Sequence, residues 1–181
     1  IGNSFNGCGG HALMLRGVNG LVVSNVFNFN NGNDAMQVFG RGHAIVKNRF
    51  LNISEMDGNP NHPDVCQTFG SGGNESYEVL FEGNVAMDCK GQGVRITADG
   101  VAKVRDWRIV NNLFVNQGAA TVMCAADRIS VWNNTFINCT TNTAHPVSWF
   151  DSASGLGSNG SCYNNIFVGC GANPTSKNFG M

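Results

Sequence analysis

The chain has 181 residues, 42% of them apolar, and a net charge of -1; it can bury one core, but it offers no broad basic field for nucleic acid or an anionic membrane, so polyanion binding would have to be local. Asn (26) and Gly (24) make up more than a quarter of the residues, whereas Glu and Lys occur four times each, which excludes a protein built on long surface helices. No apolar run approaches the roughly 18 residues that span a bilayer as a helix.

From the first residue onward, the chain reads as a processed product or an excerpt of something longer, because it begins with Ile1 and carries no charged-then-apolar leader. Asn3-Ser4-Phe5 opens a series of seven Asn-x-(Phe/Ala) units, continued at Asn25, Asn48, Asn84, Asn112, Asn134 and Asn165. The intervals are 22, 23, 36, 28, 22 and 31 residues, a basic round of about 22 with insertions in some rounds. Asn and Gly close tight bends, and Val, Ile, Phe and Thr supply short strands between them.

Between the units, three-residue segments alternate in-out-in at strand period: Leu13–Leu15, Met36–Val38, then 66–68, 94–96, 122–124 and Val147–Trp149. From the central residue of each to the next ladder Asn the count is 11 or 17. A further ladder of Val22, Ile45, Phe81, Ile109, Val131 and Cys162 stands three residues ahead of each Asn. Three short strands per round, stacked in parallel at about 4.8 Å, predict a right-handed parallel β-helix. It would be one all-β domain over 1–181 with about six to seven turns, some 30 Å long. A buried Asn ladder would hold one bend, each amide bonding to its counterpart in the next turn. The dense Leu pattern of a leucine-rich repeat is missing, and a sandwich would not require like residues to recur round after round.

Four of the seven cysteines, Cys8, Cys89, Cys139 and Cys170, stand three residues past an Asn-x-(Phe/Ala) unit and read as inward thiols stacked at one bend, with disulfides between turns the lesser reading. Trp107, Trp132 and Trp149 read as core or end packing, and an exposed one would suit sugar stacking. Outward apolar stripes are expected only at Leu21/Val23 and Ala44/Val46.

The candidate site lies on the outward positions of the in-out-in segments: Met14, Gln37, Gln67, Arg95, Met123 and Ser148. Two amides and a guanidinium on consecutive turns can hydrogen-bond sugar hydroxyls and pair with a uronate carboxylate. Three residues earlier runs a polar line of His11, Asp34, Asp64, Gln92, Ala120 and His145. The longest insertion, 55–64, adds Glu55, Asp57, Asn59, His62 and Asp64 in a Pro/Gly/Asn-rich loop that would overhang Gln67 and Arg95. In His62-Pro63-Asp64, the proline stiffens the backbone and would let imidazole and carboxylate face the cleft together.

The Asn-x-Phe units and the strand segments 34–38 and 64–68 resemble the repeats of the pectin-lyase-like superfamily of right-handed β-helix proteins. That resemblance covers nearly the whole chain. It implies a long carbohydrate lying along one sheet, and leaves lyase, hydrolase, epimerase, esterase and phage tailspike chemistry open. For β-elimination on a uronic-acid polymer, Arg95, or a Ca²⁺ held by Asp34, Asp57 and Asp64, would neutralise the uronate, with His62 as the base and Gln37, Gln67, Asp34 and Asn59 as substrate contacts. For a hydrolase, Asp57 and Asp64 would flank the bond; an epimerase needs the lyase's proton abstraction followed by return from the other face. The competing class is a non-catalytic glycan-binding or spacer segment of a phage tail or adhesin. Low charge and sequons at Asn52, Asn74, Asn133, Asn138 and Asn159 suit an extracellular or surface location with extracellular polysaccharide as partner.

Overall fold

The computed structural model of the chain describes residues 1–29, 32–54, 63–99, 103–139, 146–149 and 159–170, with Trp149 described by its backbone alone. Within these, the order is β1 (Ser4–Asn6), β2 (Leu13–Leu15), β3 (Leu21–Val23), β4 (Val26–Asn28), β5 (Met36–Val38), β6 (Gly40–Arg41), β7 (Ala44–Val46), β8 (Arg49–Leu51), β9 (Cys66–Phe69) and β10 (Ser76–Glu82). It continues as β11 (Val85–Met87), β12 (Val94–Thr97), β13 (Val104–Val110), β14 (Leu113–Val115), β15 (Val122–Ala125), β16 (Ser130–Trp132), β17 (Thr135–Ile137), β18 (Val147–Trp149), β19 (Ser161–Tyr163) and β20 (Ile166–Val168).

These strands form three sheets, and every pairing in them is parallel. The first sheet is β1-β4-β8-β11-β14-β17-β20 and the second is β2-β5-β9-β12-β15-β18. The third is β3-β7-β10-β13-β16-β19, with β6 joining β10. The chain visits first, second and third sheet in fixed rotation, so the three rows of the sequence become three walls around one core. Like residues pair across four of the six steps of the first sheet, Phe5 with Phe27, Phe27 with Phe50, Phe114 with Phe136, and Phe136 with Phe167, while Ala86 stands between Phe50 and Phe114.

Those phenylalanines stack with centroids 4.7 to 5.2 Å apart and planes within 11°. At the gap left by Ala86, Phe81 from the third sheet closes on Phe50 at 6.0 Å. The small residue is therefore compensated, and the core stays filled.

Next to this stack runs the predicted Asn ladder. From Asn3 to Asn134, each Asn donates its backbone N–H and its side-chain amide to the Oδ1 of the next, as in the bonds from Asn84 to Asn112 at 2.8 and 3.1 Å. The same amides from Asn48 to Asn165 reach back to Val22, Ile45, Phe81, Ile109 and Val131 oxygens at 2.8 to 2.9 Å. Buried bends leave backbone groups that must be paired, and this ladder pairs them.

The bend geometry is stereotyped. Each ladder Asn follows a residue in the left-handed region (Gly2, Ser24, Lys47, Gly83, Asn111, Asn133, Asn164), and a second such residue comes four positions after it (Gly7, Phe29, Asn52, Asp88, Asn116, Asn138, Gly169). Gly, Asn and Asp tolerate that conformation, which accounts for their abundance. A third left-handed column, including Gly42, Glu78, Asp106 and Arg128, kinks the third sheet.

All seven cysteines are free thiols, and Cys89, Cys139 and Cys170 repeat one geometry, each Sγ facing two backbone oxygens. Trp107 is fully buried, and Trp132 packs against Tyr163 with tilted rings, centroids 5.2 Å apart. One expectation is corrected: apolar outward residues are not confined to Leu21/Val23 and Ala44/Val46. The first sheet carries Val26, Leu51, Val85, Met87 and Leu113 flanking its buried centre, and leaves Ile166 and Val168 exposed.

Candidate functional site

The polar line at the entrance to the second sheet becomes a ladder of its own. Asp34, Asp64 and Gln92 stand on successive rounds, tied by backbone bonds from Ala35 N–H to Asp64 O at 2.8 Å and from Val65 N–H to Gln92 O at 2.9 Å. Asp34 Oδ1 accepts the Asp64 N–H, and Asp64 Oδ1 accepts the Gln92 N–H, both at 2.9 Å. This is the logic of the Asn ladder with carboxyls in place of amides.

The Asp-x-x-Gln spacing gives the same unit twice. Gln37 donates to Asp34 Oδ2 at 3.0 Å, and Gln67 donates to Asp64 Oδ2 at 3.3 Å. The Gln37 amide also reaches Gln67 Oε1 at 3.2 Å, joining the two units. In the third copy Gln92 replaces the acid and Arg95 replaces the amide. Gln67 and Arg95 are directly opposite in the β9–β12 register, and Met123 follows Arg95. Backbone crowding fixes the register here: a Cβ on Gly91 would lie 1.8 Å from the Pro63 carbonyl oxygen and 3.4 Å from Asp64 Oδ1. Only glycine admits that approach.

Burial decides what these groups can do. Asp64 is fully buried, Asp34 is 2% exposed and Gln37 7%, while Gln67 and Arg95 are half-buried and reach the surface. Burial, reinforced by the neighbouring Asp34 charge, pushes the Asp64 carboxyl up to about 8, against the opposing pull of the Gln92 N–H and Arg95. Asp64 therefore holds its proton at neutral pH.

Three expectations change as a result. Asp34 and Asp64 lie beneath the surface rather than in contact with a polymer, because their oxygens accept hydrogen bonds from the next round and from the two glutamines. Of the residues named for Ca²⁺, Asp34 and Asp64 are buried and engaged with Asp64 N–H, Gln37, Gln67 and Gln92 N–H; Asp57 lies outside the described residues. Among the described residues, no group of three His, Cys, Asp or Glu is placed to hold a metal. Gln37, predicted to face outward, is covered, and so is Ser148 at 3% exposure. His62, Asn59 and Glu55 lie outside the described residues.

His11 gains importance. Its Nδ1 is buried 3.5 Å from Asp34 Oδ2, while a quarter of its side chain is exposed, so the ring turns its far edge to solvent with a carboxylate behind it. The polar line held this signal, but distance along the chain hid the pairing. β2 and β12 are three strand spacings apart, so His11 lies about 14 Å along the sheet from Arg95. His43, by contrast, is structural: its buried ring accepts the Gly20 N–H at Nδ1, 2.8 Å, and faces Phe39 O through Nε2 at 2.9 Å.

Compared with protein-family models, the chain matches none, and no curated protein matches it.

Proposed function

We propose that the three-sheet rotation is a right-handed parallel β-helix of the pectin-lyase-like kind, and that a uronic-acid polysaccharide lies across the second sheet and is cleaved there by β-elimination. The observation that carries this reading is the surface pair Gln67 and Arg95, in register on neighbouring strands above a buried acid whose proton is retained to about pH 8. A strongly perturbed acid beneath exposed hydrogen-bonding groups makes a candidate working site. In this reading Arg95 neutralises the uronate carboxylate and stabilises the charge that develops on it, while Gln67, its amide oriented by Asp64, holds a sugar hydroxyl.

A base, assigned to His62 on the insertion, takes the C5 proton. The C5–H electron pair forms the C4=C5 double bond, the C4–O4 bond breaks, and the departing oxygen is protonated. The natural setting for such a substrate is extracellular or at a cell or virion surface.

A second reading, glycan binding without cleavage, is favoured by the complete use of both Asp carboxyls within the ladder. Incubation with polygalacturonate, alginate and glycosaminoglycans separates the two. Under β-elimination, 232-nm absorbance appears with at least one polymer and falls about 100-fold or more in Arg95→Ala. Reducing ends without that absorbance mean hydrolysis, and silence on every polymer leaves the binding reading.

A further inference from the structure

We propose that the outer face of the third sheet, along β6, β10 and β13, is a separate anion-binding strip that takes a carboxylated or sulfated polysaccharide. Six of the chain's eleven cations gather on this face and the groove beside it: Arg16, Arg41, Lys103, Arg105, Arg108 and Arg128. Four carboxylates face them. Glu75 pairs with Lys103 at 3.7 Å, Asp106 and Asp127 hold Arg128 at 2.6 Å each, Arg105 Nε lies 3.4 Å from Asp106, and Glu78 lines the hollow beside Arg108. Glu82, also outward on β10, adds a fifth carboxylate, which leaves a local excess of one positive charge on a chain whose net charge is -1.

Two of these guanidiniums are held ready by one tyrosine. Arg41, Tyr77 and Arg105 are opposite one another on consecutive strands. Arg41 Nη1 donates to Tyr77 Oη at 3.1 Å, and the Arg105 guanidinium lies 4.3 Å above the Tyr77 ring. Arg105 Nη1 is buried without a hydrogen-bond partner, and exposed Arg41 pairs with no carboxylate among the described residues. Fixing an arginine before a ligand arrives lowers the entropy cost of binding, and the planar fork suits carboxylate and sulfate oxygens.

Two strand spacings separate the backbones of the pair by about 10 Å, and both side chains lean on Tyr77 between them, which presents two neighbouring cations to the charges of a polymer. Beside them, a groove of about 380 Å³ is edged by Arg16, Lys103, Asn74, Phe39 and the Lys103-paired Glu75, with Gly17, Gly40 and Gly73 between them. Its size falls within the usual range for a ligand site. Nucleic acid is the poorer fit, because a local excess of one charge is far below the roughly 6–10 phosphate contacts of an ordinary duplex binder.

The strip does not depend on cleavage at the second sheet, and its test is binding. The protein is titrated with heparin fragments and with oligogalacturonate at about 50 and 200 mM NaCl, with dextran and single-stranded DNA as comparisons. At least one of the two anionic glycans is expected to bind, more weakly at the higher salt. The sulfate and carboxylate arms identify which group is preferred. Arg41→Ala with Arg105→Ala is expected to weaken that binding about tenfold or more, and Tyr77→Phe by less. A melting curve checks folding, and the Arg41→Gln, Arg105→Gln pair keeps side-chain volume if the alanines unfold the protein. Binding of neither glycan, equal binding of dextran, preference for DNA, or unaltered affinity in the folded double variant would each overturn the assignment.

Discussion

At the scale of single residues, Asp64 makes the sharpest physical claim. Its carboxyl rises from the ordinary value of 3.8 to about 8 on folding, so the folded chain binds that proton more tightly than the unfolded one. The associated stability is complete below about pH 4 and is lost as pH climbs toward 8. Asp64→Asn abolishes this loss while leaving an Oδ1 acceptor for Gln92. Melting temperatures of variant and parent are expected to diverge from pH 5 to pH 9 in favour of the asparagine; a constant difference would show that Asp64 does not titrate in that window. Phe29 is a second case, a bulky exposed side chain at φ 53° in a column otherwise filled by Gly, Asn and Asp. Phe29→Gly is expected to raise stability by about 1 kcal/mol in denaturant unfolding. Neither feature is legible in the sequence. Spacing locates Asp64 beside Gln67, but only the covering of the neighbouring rounds says that it is buried and protonated.

At the scale of the elements, the ladders carry the argument and were the most readable part of the chain. Recurrence of Asn-x-Phe at 22 or 23 residues forces like residues into register, and an Asn that must satisfy buried backbone cannot be exchanged freely. Asn112→Ala removes the acceptor for the Asn84 N–H and the donor to Phe81 O. It is expected to cost about 3 kcal/mol or more, against well under 1 kcal/mol for Asn3→Ala at the exposed first round, in parallel urea titrations. Comparable losses at the two positions would mean that the amides act individually rather than as a ladder. Phe136→Ala, between the stacked rings of Phe114 and Phe167, is expected to cost about 3–5 kcal/mol. Ala86→Phe is expected to destabilise as well, by about 1–3 kcal/mol, because Phe81 already closes on Phe50 from the third sheet. The left-handed columns escaped a sequence reading because residues as different as Gly83, Lys47 and Ser24 occupy one position. Their common property is a backbone angle, not a side chain.

For the whole molecule, three sheets around one core leave three outer faces with different chemistry: apolar on the first, amide and guanidinium above buried acid on the second, and paired arginines on the third. The second was anticipated from Gln37, Gln67 and Arg95, and two of those three reach the surface. The third was hidden, since Arg41, Tyr77 and Arg105 are 36 and 28 residues apart and meet only because the insertions lengthen those rounds. The proposed function requires an acidic glycan on the second sheet. The most direct test is a titration of ¹⁵N-labelled protein with oligomers of galacturonate, guluronate and mannuronate, following the Gln67 side-chain amide and the Arg95 Nε. Saturable shifts of both with at least one oligomer, persisting in the Arg41→Ala, Arg105→Ala protein, are the expected result. Shifts confined to residues outside the second sheet, or none with any oligomer, would contradict it.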